Sequence, residues 1–350
     1  MQLFPRLRLV PDGTQIQFMK GRHAGLIFSA VLSILSVVLY FAPGLNYGID
    51  FKGGIVIEAR GPEPVDFGAL RPALSALNLG QVGLQQFGSP QDVLIRLERQ
   101  RADVAERCRA KRPPANDQER AARQRAVTEE EAQQCAVEEV RAGLEKFRAG
   151  MQVRRVEAVG GSVSRELFVN GMLALGFSLL AMLAYIWFRF EWQFGVGAVI
   201  TLVLDVTKVI GFYVLTGFQF NLTAIAAILT IMGYSINDKV VVYDRMRENL
   251  RKFKTMPLRQ LIDLSINETL SRTIGTSMAT FLATIPLALF GGEALEEFAI
   301  TMLFGIILAT SSSIFIAAPI LLFLGEDKLR RGTVAEAQAQ AQADAATPAP

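Results

Sequence analysis

Long apolar runs separated by short charged connections dominate the hydrophobic pattern of this chain. A helix needs about 20 predominantly apolar residues to cross the hydrocarbon core of a bilayer. Six stretches meet or approach that length: residues 24–42, 167–188, 194–215, 222–242, 272–290 and 298–324. Because a helix satisfies its backbone hydrogen bonds internally, each stretch can cross as a helix. The pattern therefore predicts an all-α bundle of six transmembrane helices.

Residues 43–166, between the first two spans, have the length of a small α+β domain. Their apolar runs are shorter than those of the spans. Strand-like runs cover Ile55–Arg60, Gln81–Phe87, Asp92–Glu98 and Met151–Val159. The pattern of Pro64–Leu77 predicts a helix, and a capping box of Thr128 and Glu131 opens a second helix that runs to Arg148. The resulting order βαββαβ predicts a ferredoxin-like domain.

A stretch rich in charges of both signs, Arg99–Val127, interrupts this order. We expect it to be a solvated, partly helical insertion. Cys108 and Cys135 lie on either side of its Pro-Pro break and can face each other across a helical hairpin. An oxidising exterior compartment permits a disulfide. The pattern leaves two alternatives open, a bridge or two free thiols.

Composition agrees with a membrane protein and excludes several kinds of chemistry. The chain is 51% apolar and 20% charged, with a mean hydropathy of +0.31. One His and two Cys are too few for a His-based triad, a multi-His metal site or a zinc cluster. No Walker A string occurs, and a net charge of +3 gives no nucleic-acid footprint. We therefore expect no enzyme activity, no cofactor, no metal site and no nucleic-acid partner.

The distribution of Lys and Arg predicts the orientation of the bundle. Basic residues concentrate in residues 1–23, 243–271 and 325–350, whereas the short connections on the other side lack them. The positive-inside rule then puts both termini in the cytoplasm and residues 43–166 outside. We expect an amphipathic helix within 243–271 and a largely disordered tail over 325–350. The first span resembles a signal peptide, but Tyr40 violates the small-residue cleavage rule, which favours an uncleaved span.

Charged residues inside the predicted spans are the main functional candidates. A charge at mid-bilayer costs at least ~2.5–3.5 kcal/mol, so such residues indicate function by default. Asp205 and Lys208 share a helix face and can pair, and Lys239 can extend toward the cytoplasmic headgroups. Asp238 and Arg272 lie at similar depth from the same side and can meet. We take Asp238, Arg272 and Asp205 as candidates for proton coupling; purely structural ion pairs are the alternative.

Two periodic patterns of small or hydroxyl side chains accompany these charges. In the fifth span one helix face carries Thr273, Ser277, Thr280 and Thr284. These hydroxyls, with Asn237 of the fourth span, can line a proton path, or they can join helices. In the sixth span a groove that would admit another helix is formed by Gly305, Ala309, Ser313 and Ala317.

Three sequence motifs resemble the SecD/SecF family of the bacterial protein-export translocase. Residues 48–54 read GIDFKGG and resemble the family motif that follows the first span. Residues 233–249 read GYSINDKVVVYDRMREN and resemble the fourth-span signature of the SecF branch. Residues 265–273 read SINETLSRT and resemble its fifth-span signature. The resemblance covers roughly residues 20–325, and six spans with one exterior domain match it as well.

The resemblance implies a role in preprotein export across the bacterial inner membrane. Family members pair with SecD in a bundle like that of the resistance-nodulation-division exporters. The pair associates with the SecYEG channel, and with YajC as a further expected partner. It uses the proton-motive force, or sodium in some lineages, to promote preprotein movement on the periplasmic side. Lipid and translocating preproteins are thus further expected partners.

The same resemblance implies roles for individual residues. The family's ion-coupling positions map onto Asp238 and Arg272, and Asp205 matches a polar position of its third span. Asp50, Gly53 and Gly54 map onto the motif expected to act as a hinge. The chain departs from the family pattern by carrying Lys208 and Lys239 where uncharged residues are expected, and its charged insertion is longer than a minimal domain requires.

Two rival functions remain open from the residues. The first is half of a small-molecule, proton-driven exporter, because the superfamily likeness allows it. The second is a passive assembly factor in which Asp238 and Arg272 form only a structural ion pair.

Overall fold

The computed structural model describes residues 11, 14–86, 89–100, 102–111 and 127–323. Some predicted features lie wholly or partly outside these residues: the start of residues 1–23, the end of the strand Gln81–Phe87, most of the charged insertion Arg99–Val127 and the tail over 325–350. The chain forms two compact units. The helical unit contains Met1–Asn46 and Leu173–Pro350, and the sheet unit contains Tyr47–Met172.

Six helices are long and apolar enough to cross a membrane among the residues described. The first five are α1 (Arg22–Phe41), α6 (Gly161–Arg189), α7 (Trp192–Thr216), α8 (Leu222–Lys252) and α9 (Leu258–Phe290). The sixth span, Leu295–Phe323, is built from α10 (Glu293–Ser312), a π-helical turn (Ser313–Ala317) and α11 (Ala318–Phe323). Each predicted span overlaps one of these six helical stretches, which supports six crossing helices.

Two helices extend well beyond the predicted spans. Helix α8 continues to Lys252, and α9 begins at Leu258, so residues 253–257 separate the two helices. The residues of the predicted amphipathic helix form the first turns of α9 and are continuous with the fifth span. Leu261 and Ile262 are fully buried within the bundle. No proline stands between Leu258 and Phe290 until Pro286, which is consistent with the continuity.

Small residues allow the helices of this unit to approach closely. A Cβ atom added to Gly305 would collide with Ile231 of α8, and Ala309 and Ala317 are completely buried. The predicted small-residue groove of the sixth span is therefore confirmed as a packing surface. Ser36 of α1 packs in the same way against Gly211 of α7.

The sixth span contains one irregularity in its described residues, the π turn at Ser313–Ala317. Pro319 follows that turn by two residues and lacks the amide hydrogen that would bond the carbonyl of Phe315 in an α-helix. A helix next to such a proline commonly changes its hydrogen-bond register or kinks. The turn divides a span that the sequence pattern treats as one segment.

The sheet unit contains four strands and four helices in the described residues. The strands are β1 (Gly54–Arg60), β2 (Val82–Gln86), β3 (Asp92–Leu97) and β4 (Gln152–Val159). The helices are α2 (Ile49–Lys52), α3 (Phe67–Ser75), α4 (Ala102–Lys111) and α5 (Glu129–Phe147). The strand order is β2-β3-β1-β4, and every neighbouring pair is antiparallel.

One core holds the sheet unit together. Ile55 and Ile57 of β1, Ile95 of β3, Leu70 of α3 and Val140 of α5 are all fully buried in it. As the capping box predicts, the Thr128 side chain accepts a hydrogen bond from the backbone of Glu131 at the start of α5. These contacts pack α3 and α5 against the sheet.

Two side-chain links strengthen this unit. A disulfide joins Cys108 of α4 to Cys135 of α5, with Cα atoms 6.1 Å apart. The sequence did not decide between a disulfide and two free thiols, and the structure contains the disulfide. On the sheet, the Arg60 guanidinium donates to the Asp92 carboxylate of the neighbouring strand and holds the pKa of that carboxyl at about 2.

Candidate functional site

Four charged side chains are buried together in the helical unit. Asp205 and Lys208 project from α7, and Asp238 and Lys239 project from α8. Their residues are 1%, 4%, 2% and 1% exposed, respectively. Burying a charge is costly unless it is paired and hydrogen-bonded. Four such residues in one place therefore indicate a functional site.

Asp205 is the shared counterion of both lysines. Its Oδ2 lies 3.0 Å from the Lys239 ammonium, and its Oδ1 lies 3.8 Å from the Lys208 ammonium. The predicted pairing of Asp205 with Lys208 is thus confirmed, although Lys208 makes no hydrogen bond with any described residue. One carboxylate therefore connects two ammonium groups carried by different helices.

Lys239 is the most highly connected member of the cluster. Besides Asp205, its ammonium donates to the hydroxyl and the carbonyl of Ser235 and, at 3.2 Å, to the hydroxyl of Ser312. Ser235 and Ser312 donate in turn to Asp205 Oδ2, at 2.8 and 2.7 Å. The expectation that Lys239 reaches the cytoplasmic headgroups is therefore wrong. A carboxylate and two hydroxyls inside the bundle satisfy its charge at lower cost.

Asp238 is the less satisfied of the two carboxylates. Its Oδ2 is buried and accepts no hydrogen bond from any described residue. The groups that act on it are the Lys239 ammonium and the Thr310 hydroxyl of the sixth span. Asp205 also has one oxygen, Oδ1, without a hydrogen bond among the described residues, but its Oδ2 accepts three. The two carboxylates thus have different environments within one cluster.

A row of hydroxyl groups leads away from Asp238. The Thr310 hydroxyl lies 2.7 Å from the Ser277 hydroxyl of α9, and the Tyr234 hydroxyl donates to Ser277 at 2.9 Å. Hydroxyl groups both donate and accept, so they can pass a proton along such a row. Tyr234 is half-buried, and Ser277 is buried. The predicted residue Ser277 therefore belongs to the site.

Other predicted site residues lie elsewhere. Among the described residues, no ion pair or hydrogen bond joins Asp238 to Arg272, whose side chain is exposed on α9. Asn237 is exposed as well, and Thr280 donates to a carbonyl of its own helix. Thr273 is buried, and its hydroxyl has no hydrogen-bond partner among the described residues. Within this chain the structure does not bring Asp238 and Arg272 together.

Sequence reasoning missed four polar members of this site: Ser235, Ser312, Thr310 and Tyr234. Ser235 precedes Lys239 by one helical turn on the same face, and this spacing was a usable signal. Ser312 and Thr310 lie in an uninterrupted stretch of four hydroxyl residues, Thr310–Ser313, inside an apolar span. That stretch does not reveal which helices it contacts, because the contacts are long-range.

A second candidate site, at Gly53 and Gly54, lies in the sheet unit. Both residues have positive φ, 71° and 127°. A Cβ atom on Gly54 would collide with the carbonyl oxygen of Leu97, and one on Gly53 would press on Val159. Glycine is required here for backbone conformation and close packing. Asp50 lies in the short helix α2 just before these glycines.

The described residues contain one group of metal-ligand side chains, Cys108, Cys135 and Glu139. Both sulfurs of this group are joined in the disulfide and are therefore not free thiolates.

Comparison with known proteins identifies the family. Residues 139–327 match the family described as "Protein export membrane protein SecD/SecF, C-terminal". Residues 41–60 match the "SecD/SecF GG Motif", which includes Gly53 and Gly54. The two matches cover the buried charge cluster and the glycine pair.

Full-length relatives agree with these matches. The chain is 42% identical to the protein translocase subunit SecF of Rickettsia felis, covering 95% of this chain and 99% of that protein. It is 41% identical to SecF of Rickettsia prowazekii, covering 96% and 99%.

Solved structures show the same fold. The crystal structure of SecDF, a translocon-associated membrane protein from Thermus thermophilus, matches with a TM-score of 0.72 and 32% identity. That match covers 89% of this chain and 39% of the SecDF chain, so the present chain corresponds to about two fifths of that protein. The chain therefore belongs to the SecD/SecF family of protein export membrane proteins, with its relatives on the SecF side.

Proposed function

We propose that this chain is an accessory subunit of the Sec preprotein translocase and couples proton movement to preprotein export. Asp238 is the coupling carboxylate in this proposal. The observation that carries it is the environment of Asp238: a buried carboxylate with one unbonded oxygen among the described residues, beside a lysine and at the end of a row of hydroxyl groups.

Charge counting supports this assignment. With both carboxylates ionised, the charges of Asp205, Asp238, Lys208 and Lys239 cancel. One proton on Asp238 leaves the cluster with an uncompensated positive charge in a buried site, where charge interactions are strong. A membrane potential of ~100–200 mV is worth ~2.3–4.6 kcal/mol per charge. Protonation can therefore change the ratio between two packing arrangements of α7, α8 and the sixth span by a factor of about ten to a thousand.

The proton route follows the hydroxyl groups beside Asp238. Thr310, Ser277 and Tyr234 form the described part of the route. Thr273, which is buried one turn before Ser277, extends it inside the chain, and Thr280 and Asn237 extend it on surfaces that a partner would cover. Arg272, which is exposed on this chain, acts from the interface with that partner.

The partner in this proposal is SecD. The matched crystal structure is of SecDF, of which this chain covers 39%, so SecD supplies the remaining helices of a larger bundle. The SecYEG channel, YajC and the translocating preprotein are further partners in the inner membrane. Asp205 completes the coupling group by holding both lysines.

The sheet unit acts on the preprotein in this proposal. We assign it the ferredoxin-like fold, and the antiparallel strand order β2-β3-β1-β4 supports that assignment. It lies on the periplasmic side, with both termini of the chain in the cytoplasm. Asp50, Gly53 and Gly54 act as the hinge between the first span and the sheet.

The alternative function, half of a small-molecule exporter, differs in the phenotype of its loss. In a strain depleted of this chain, we expect secreted precursors to accumulate in the cytoplasm while sensitivity to toxic small molecules stays unchanged. Re-expression of the wild-type chain should clear the precursors, and Asp238→Asn at equal abundance should not. Drug sensitivity without precursor accumulation would support the exporter and refute the export proposal.

A further inference from the structure

The π turn in the sixth span is held at both ends by α8. A π turn is rare, occurs mostly as a single turn inside an α-helix, and is often found at functional sites. Pro319 removes one α-helical bond near this turn, but side chains of a neighbouring helix also hold it. Those side chains are Lys239 and Tyr243, which lie four residues apart on one face of α8.

Lys239 holds the N-terminal end of the turn. Its ammonium donates to the hydroxyl of Ser312, the residue immediately before the turn, and the same hydroxyl donates to Asp205. The residue before the π turn is thereby joined to the buried charge cluster. Ser313 also donates to the carbonyl of Ala309, one turn earlier.

Tyr243 holds the C-terminal end of the turn. Its hydroxyl donates to the carbonyl of Ala317, the last residue of the turn, at 3.2 Å. The Tyr243 ring is 1% exposed and packs edge-on against Phe190 and Phe194. Gly197 leaves room for the hydroxyl, because a Cβ atom there would lie 2.8 Å from it. The tyrosine is thus fixed by rings and aimed at one carbonyl.

We propose that Lys239 and Tyr243 are positioning residues that hold the π turn, and that Lys239 transmits the charge state of the cluster to it. The charged groups that face Lys239 are Asp205 and Lys208 of α7 and Asp238 of its own helix. When Asp238 loses its proton, it competes with Asp205 and Ser312 for the Lys239 ammonium. Release of Ser312 lets the turn revert to α-helical register.

A π turn holds one residue more than an α-helical turn. If the turn reverts to α-helical register, α11 rotates by about 100° relative to α10, because an α-helix has 3.6 residues per turn. The inference rests on the proposed function, because it takes the protonation of Asp238 as the input. It adds the π turn as the structural element that responds to this protonation. No covalent step is involved.

The test uses two single-cysteine reporters on α11 in the full chain, co-expressed with SecD in membrane vesicles. Leu321 is 1% exposed and Phe323 is 64% exposed, so Leu321→Cys and Phe323→Cys report opposite faces. The native cysteines are joined in a disulfide and do not react with a maleimide. Maleimide labelling of each reporter is measured with and without a proton gradient.

We expect the ratio of labelling in Leu321→Cys to labelling in Phe323→Cys to change about tenfold when the gradient is imposed. Lys239→Met and Tyr243→Phe should each abolish that change. Tyr213→Phe is the matched control: it also removes the hydroxyl of a buried tyrosine, but that hydroxyl accepts a hydrogen bond from Thr301 and none from the π turn, so the change should persist.

Two results would overturn the inference. The first is a labelling ratio that does not change with the gradient in the otherwise wild-type chain. The second is a labelling ratio that still changes with the gradient in Lys239→Met. Gradient-dependent export by Asp238→Asn is measured in the same vesicles. If Asp238→Asn loses that export while the labelling never responds, the π-turn inference fails and the proposed function stands. If Asp238→Asn exports like the wild type, the proposed function fails.

Discussion

At the scale of single residues, one carboxylate organises the centre of the helical unit. Asp205 compensates two buried lysines that come from different helices. The pairing with Lys208 follows from spacing on one helix, so the sequence predicts it. The pairing with Lys239 joins residues 34 positions apart, and nothing in local spacing reveals it. For the same reason the sequence cannot show that Asp238 meets Thr310 rather than Arg272 within this chain.

Removing the shared counterion should destabilise the protein strongly. Asp205→Asn removes the carboxylate that pairs with both Lys208 and Lys239, although Asp238 still acts on Lys239. Breaking a buried pair in this way costs about 3–5 kcal/mol. We expect a lower unfolding midpoint for the purified chain in detergent. The double variant Asp205→Asn, Lys239→Met removes one stranded charge and should recover part of the loss. Equal midpoints for wild type and Asp205→Asn would contradict the account.

At the scale of elements, apolar periodicity predicts where helices exist better than where they end. Helix α9 contains both the predicted amphipathic helix and the fifth span, and no proline separates them. The π turn was not predicted, although Pro319 stands beside it, because a proline alone does not distinguish a kink from a register change. In the sheet unit the strands were predictable to within about two residues, because turn residues bound them.

The disulfide between α4 and α5 should contribute measurably to the sheet unit. It closes a loop with a sequence separation of 27 residues, for which chain entropy gives about 3.5 kcal/mol. In full-length protein, the paired Cys108→Ser, Cys135→Ser variant should make this unit cleavable by protease at lower urea concentration. A reducing agent should produce the same shift in the wild type and none in the variant. An unchanged cleavage midpoint in the variant would show that the bridge adds nothing.

At the scale of the whole molecule, the helical unit contains the buried charges and the sheet unit contains the glycine pair. Both coincide with segments matched to the SecD/SecF family. The sequence motifs predicted that family. They are informative because the backbone conformation or the buried charges at these positions admit few residue types. Gly54, for example, cannot carry a side chain at the start of β1. Motifs alone could not show which neighbours act on Asp238 and Lys239, because Thr310, Asp205 and Ser312 come from the third and sixth spans.

The most direct test of the central claim measures precursor export into vesicles that contain this chain with SecD, with and without a proton gradient. Asp238→Asn should export like the wild type without a gradient and should lose the gradient-dependent increment. Asp244→Asn is the matched control, since Asp244 lies on the same helix but pairs with Arg189 outside the cluster. It should keep the increment. A full gradient-dependent increment in Asp238→Asn, at equal abundance, would contradict the assignment of Asp238 as the coupling carboxylate.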